Sequence, residues 1–224
     1  MDDWDVRQQV FTTFAEEGRA PSVAELAVRQ GVDEITIRAC LMRLHEAHAL
    51  VLTEYGDAIR MAHPFSAAPM GFVVTADGPY EQRLWWGGCT WDSFGISAAL
   101  KIDVSVETRC PGCHTPLRMD VGPHQPPEPE LTVHIPLPAS QWWDDVLLTC
   151  SNIRMFCSEE HLAAWADRTD RPIGRALAAT TLWNLAQPWY GDRLDTGYRP
   201  RPTADLQHLL TDSGLTGPFW QLPD

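Results

Sequence analysis

The first fifty residues carry apolar positions at helical spacing, and short apolar runs dominate the rest of the chain. Val6, Val10, Phe11 and Phe14 fall on one face and predict an amphipathic helix over 5–17. Ser22 with Glu25 three residues on makes a capping box that opens a second helix over 23–30, which Gly31 ends. Asp33 caps a third, running to about residue 47, with Ile35, Ile37, Leu41 and Leu44 in register. Residues 50–54 and 58–61, joined by Tyr55-Gly56-Asp57, read as a hairpin. Three helices and a hairpin in that order predict a winged-helix-like unit.

Beyond residue 68 the pattern changes to strands at 71–75, 104–109, 117–121, 131–135 and 153–156. Helices are expected at 92–100, 159–166 and 175–185. The proline-rich stretch 123–129 can form no regular ladder and is expected as an exposed loop. The expected class is α+β: an N-terminal winged-helix-like domain over 1–65, a mixed β-sheet domain with short helices over 66–187, and a proline-rich tail over 188–224, either extended and packed on the body or only partly ordered.

Composition narrows the function. The 224 residues carry a net charge of −13 and a pI near 4.9, which argues against a surface built to grip nucleic acid. The third helix, the one a winged helix would place in the major groove, holds Asp33, Glu34 and Glu46 against Arg38 and Arg43. A structural role for that unit is therefore expected. No stretch approaches the roughly 18 apolar residues of a membrane span, and no secretory signal is apparent, so the expected compartment is the cytoplasm. Six cysteines in a reducing compartment point to metal binding or catalysis before a disulfide framework. Ten tryptophans, several between 85 and 91 and at 142, 143 and 165, are expected mainly in packing, with a share lining an apolar pocket.

Cys89, Asp92 and Cys150 are the residue types that could hold a soft metal ion and move a proton beside it. Thiolates favour thiophilic metals, and a carboxylate is a competent proton carrier. The runs that contain them, Trp-Gly-Gly-Cys-Thr-Trp-Asp-Ser-Phe-Gly-Ile-Ser-Ala-Ala-Leu over 86–100 and Asp-Asp-Val-Leu-Leu-Thr-Cys-Ser-Asn-Ile-Arg-Met-Phe over 144–156, resemble the alkylmercury (organomercurial) lyases. The resemblance implies a catalytic middle domain that cleaves a carbon–mercury bond by protonolysis. It also implies Cys89 and Cys150 as the thiolates that capture the organomercurial and Asp92 as the proton shuttle. Mercuric ion would stay on Cys89 and Cys150 until cellular thiols or a mercuric reductase took it. In that family the winged-helix-like N-terminus does not read DNA. With no phosphate-cradling glycine loop, no organic cofactor is expected. A helix beginning just after Cys89 should lower its thiol pKa. The alternative reading is a non-enzymatic thiol metal-binding protein or a metal-responsive winged-helix regulator.

A second constellation lies beside the first. Cys110-Pro111-Gly112-Cys113 is a knuckle-like turn, and Cys157 with His161 sits at a strand-to-helix junction. Together they are the ligand types of a closed tetrahedral Cys3His zinc site, expected as a structural zinc.

Overall fold

In the computed structural model, which describes residues 2–128, 130–171 and 173–223, three helices come first: α1 Asp3–Glu17, α2 Val23–Gln30 and α3 Glu34–Glu46. Each start is capped by a side chain. Asp2 accepts the Trp4 N–H at 3.1 Å, Ser22 and Glu25 complete their capping box, and Asp33 accepts the Thr36 N–H at 2.8 Å. Gly18 and Gly31 end α1 and α2 in the left-handed conformation that glycine adopts without cost. At Gly18 a Cβ would also meet the Leu84 carbonyl oxygen at 2.5 Å, so the chain there must be bare.

Among the described residues ten strands follow, interleaved with further helices and arranged in two sheets: β1 Val51–Leu52, β2 Ile59–Ala62, β3 Phe65–Ser66, β4 Phe72–Thr75, β5 Leu84–Gly87, β6 Val104–Arg109, β7 Pro116–Val121, β8 Thr132–Ile135, β9 Arg154–Phe156 and β10 Arg175–Ala178. The larger sheet has the order β1-β2-β3-β5-β4-β6-β7 and the smaller β10-β8-β9. Every pair is antiparallel, so the expected mixed sheet is in fact two antiparallel ones. Five more helices cover them: α4 Thr90–Leu100, α5 Val146–Asn152, α6 Glu159–Thr169, α7 Ala179–Tyr190 and α8 Thr203–Asp212. No helix among the described residues is long and apolar enough to cross a membrane.

The N-terminal hairpin does not stand apart. β2 pairs with β3 and β3 with β5, which carries it into the larger sheet, and the expected boundary at 65/66 falls inside β3. The Trp85 indole N–H donates to the Phe14 carbonyl at 2.9 Å, fastening α1 to β5. One continuous core runs from Val6 and Phe14 through Phe65 and Trp85 to Leu182 and Leu210.

Three other expectations need correction. Residues 175–178 form β10, whose ladder with β8 overrides the helix preference of its alanines and leucine, and the helix begins at Ala179. That helix runs through Pro188 to Tyr190, so the 187/188 boundary cuts it. The tail is not extended: it contains α8 and buries Tyr198, Leu210, Leu215 and Trp220, with Asp224 outside the described residues. The loop at 123–128 is irregular, Pro129 lying outside the described residues.

Candidate active site

β5 leaves the larger sheet through Gly87 and Gly88 and turns at once into α4. Both glycines are demanded by close approach. A Cβ on Gly87 would meet the Ser93 Oγ at 2.5 Å, and one on Gly88 would meet the Met61 Cε at 2.2 Å and an Asp92 carboxylate oxygen at 2.5 Å. Cys89 is the N-cap of α4, and its sulfur accepts the Asp92 N–H at 3.4 Å. The three-residue spacing thus puts thiol and carboxylate on the same end of one helix. That helix is sunk in the core, every residue from Thr90 to Ala99 being buried.

Cys150 arrives on α5, capped by Asp145, whose carboxylate accepts the Leu148 N–H at 2.9 Å. What brings it to Cys89 is a double tie one residue beyond α5. The Thr90 N–H and hydroxyl both donate to the Ile153 carbonyl at 3.1 Å. The start of α4 and the end of α5 are fixed side by side, and the two thiols face the same cavity. Cys89, Asp92 and Cys150, far apart in sequence, line one cavity of about 360 Å³. That is within the range of small-molecule sites.

Two residues that sequence reasoning missed hold Asp92. The Tyr190 hydroxyl donates to one carboxylate oxygen at 2.7 Å, and His63 Nδ1 lies 3.2 and 3.3 Å from the two oxygens. The donor atoms of His63, Asp92 and Cys150 all lie within 4.8 Å of one another. His63 comes from the end of β2 and Tyr190 from the end of α7. A lone histidine after an apolar strand and a tyrosine in an aromatic run gave no signal of their own. Trp91 meets Trp142 and Trp189 with ring centres at 5.3 and 4.8 Å, and Trp143 stacks on His48 at 4.2 Å, so aromatic faces wall the cavity.

The electrostatics reverse one expectation. Burial pushes the Cys89 thiol well above its ordinary value, and the neighbouring Cys150 and Asp92 push it further. The Asp92 N–H at the helix start pulls the other way and is outweighed. Cys150 is favoured as thiolate by its contact with Cys89, but burial and the Asp92 carboxylate leave it raised as well. Burial likewise holds the Tyr190 phenol neutral, far above its usual range. The resting site is a pair of neutral thiols beside a carboxylate, not a preformed thiolate.

The other cluster is separate. Cys110 and Cys113 lie on the turn between β6 and β7, and Cys157 and His161 flank the start of α6. Their four donor atoms all lie within 4.8 Å of one another.

An antiparallel α+β fold thus sets two cysteines and an aspartate in one aromatic cavity, residue types that can hold a thiophilic guest and carry a proton. The family model for alkylmercury lyase (MerB) matches residues 65–191, more than half of the chain, and the protein belongs to the alkylmercury lyase family. The solved mercury-bound form of MerB2 is similar in fold at 19% identity, with a TM-score of 0.64 over 86% of this chain and 91% of that one. No curated protein matches.

Proposed function

We propose that the protein, as a carbon–mercury lyase, works through Cys89, Cys150 and Asp92. The observation that carries this is Asp92 inside an aromatic cavity, its N–H on the Cys89 sulfur at 3.4 Å and its carboxylate within 4.8 Å of the Cys150 sulfur. An organomercurial cation first exchanges its outside ligand for one cysteine sulfur, and that thiol's proton leaves with the ligand. The second sulfur then bonds to mercury, and its proton passes to Asp92. Two sulfur donors push electron density onto mercury and weaken its bond to carbon. As that bond breaks, its electron pair goes to carbon, which takes the proton from Asp92. A hydrocarbon departs and mercuric ion remains on the two sulfurs. Because the thiols are neutral at rest, each capture step is an exchange of metal for proton.

Tyr190 and His63 hold the carboxylate facing this exchange, and the apolar walls keep competing water away. Mercury bound by Cys89 and Cys150 is open to transfer to low-molecular-weight thiols or a mercuric reductase. Six free cysteines and no disulfide among the described residues agree with a reducing cytoplasm.

The N-terminal three helices and hairpin, the winged-helix-like part of the three-part organisation, serve as scaffold. Arg38 pairs with Glu34 at 2.8 Å and Arg43 with Asp3 at 2.6 Å, so the two arginines that α3 would offer to phosphates are already neutralised.

The decisive experiment is phenylmercury turnover in excess thiol. The wild type should release benzene, and Asp92→Asn should retain mercury while turnover falls by roughly 10²–10⁴-fold, the usual worth of a positioned proton donor. Full turnover in Asp92→Asn would remove Asp92 from its role.

A further inference from the structure

Four ligands meet at a corner of the molecule that the lyase chemistry does not use. Cys110 is buried, Cys157 and His161 are half-buried, and Cys113 is exposed. The Sγ atoms of Cys113 and Cys157 are 3.7 Å apart, and Cys110 Sγ is 3.9 Å from His161 Nδ1. A disulfide would need sulfurs about 2.05 Å apart, and both cysteines are free. In a tetrahedral zinc site with bonds of about 2.3 Å to sulfur and 2.0–2.1 Å to nitrogen, the corresponding edges are about 3.8 and 3.6 Å. The separations fit ligands around one ion and fit no direct bond.

The backbone is shaped to the same end. The β6–β7 turn is closed by the Cys110 N–H on the Thr115 carbonyl at 3.0 Å and the His114 N–H on the Cys110 carbonyl at 2.8 Å, with His114 in the left-handed region. It lies so close to α6 that a Cβ on Gly112 would meet the His161 carbonyl oxygen at 2.5 Å. Arg168 reaches back from α6 to the Pro111 carbonyl at 3.0 Å. The apolar support is thin: a satellite core of five buried residues, Cys110 among them, apart from the main one.

We propose that Cys110, Cys113, Cys157 and His161 bind a structural zinc ion. Three sulfurs and one imidazole nitrogen fill a closed tetrahedral shell, leaving no position for substrate. The ion joins the β6–β7 turn of the larger sheet to the end of β9 in the smaller one. β9 comes directly after α5, so the zinc also anchors the segment that presents Cys150.

The proposal does not rest on the lyase reading, because it is tested on protein that has met no mercury. Protein purified in reducing buffer without chelator should contain about one zinc per chain. Cobalt in its place should show the intense visible bands of a tetrahedral thiolate complex. Cys113→Ser, at the exposed ligand, should lose the metal and unfold at lower temperature. If that variant does not fold, the wild type decides: zinc should shield Cys113 and Cys157 from a thiol reagent, and stripping it should leave both reactive. A metal-free protein that neither takes up zinc nor gives the cobalt bands would overturn the proposal, as would zinc retained by Cys113→Ser.

Discussion

At Asp92 two donors share one buried carboxylate, and the same burial sets the state of the thiols beside it. Cys89 is 1% exposed, and loss of water disfavours its anion more than the helix start favours it. This has a consequence for stability. The folded thiol lies above its unfolded value, so the stabilisation it gives is present in full below the unfolded pKa of about 8.5 and is lost as pH climbs from there toward the folded value. Stability measured by urea unfolding should therefore fall steeply from about pH 8 upward, and less steeply in Cys89→Ala. Equal slopes in the two proteins would mean that Cys89 ionises as freely folded as unfolded. The family was legible in the sequence through the runs around Cys89 and Cys150, Cys-x-x-Asp alone being a weak signal. The resting protonation was not, since it depends on how completely α4 is sunk in the core.

Among the elements, the pairing of α4 with α7 decides where the Tyr190 hydroxyl stands. A Cβ on Gly95 would meet Tyr190 ring carbons at 2.3, 2.7 and 2.8 Å, so the two helices touch through a bare backbone. Gly95→Ala must push the ring aside or part the helices. Overpacking of that kind costs typically about 1–3 kcal/mol. Denaturant unfolding should show the loss, and phenylmercury turnover should fall with mercury retention intact, because Tyr190 is drawn off Asp92. A change below about 0.5 kcal/mol would show that the interface yields freely. Elements with their own start signals were readable: Ser22 with Glu25 and Asp33 placed α2 and α3 closely. Elements defined by a partner were not. β5 is a short apolar run that periodicity cannot tell from a buried helical segment. β10 is strand only because β8 lies beside it. α8 was hidden by the prolines around it, and His63 is a site residue only because β2 ends over α4.

For the molecule as a whole, the cavity joins three stretches of chain. Cys89, Asp92, Cys150 and Tyr190 lie within the residues matched by the family model. His48 in front of that span, and Arg201, Leu206 and Leu222 behind it, complete the walls. The tail is anchored there as a fixed wall. Arg7, buried under the rings of Phe11 and Tyr198, donates to the Arg193 carbonyl at 2.9 Å, and Gln8 to the Leu194 carbonyl at 3.0 Å. Gln207 on α8 receives the Leu222 N–H at 2.9 Å and donates to the Trp220 carbonyl at 3.2 Å, pinning the returning chain where Leu222 lines the cavity. Cys89, Asp92 and Cys150 thus lie within the matched span while part of the wall comes from outside it, and that part of the shape should be adjustable without loss of chemistry. Leu206→Ala removes apolar volume from the wall without touching sulfur or carboxylate. It should raise kcat/KM for phenylmercury relative to methylmercury, by about tenfold if the freed space is worth the lower end of a methylene-sized fit. An unchanged ratio with both activities preserved would mean that the substituent does not rest against α8, and that the aromatic faces of Trp91, Trp142 and Trp189 alone set its size.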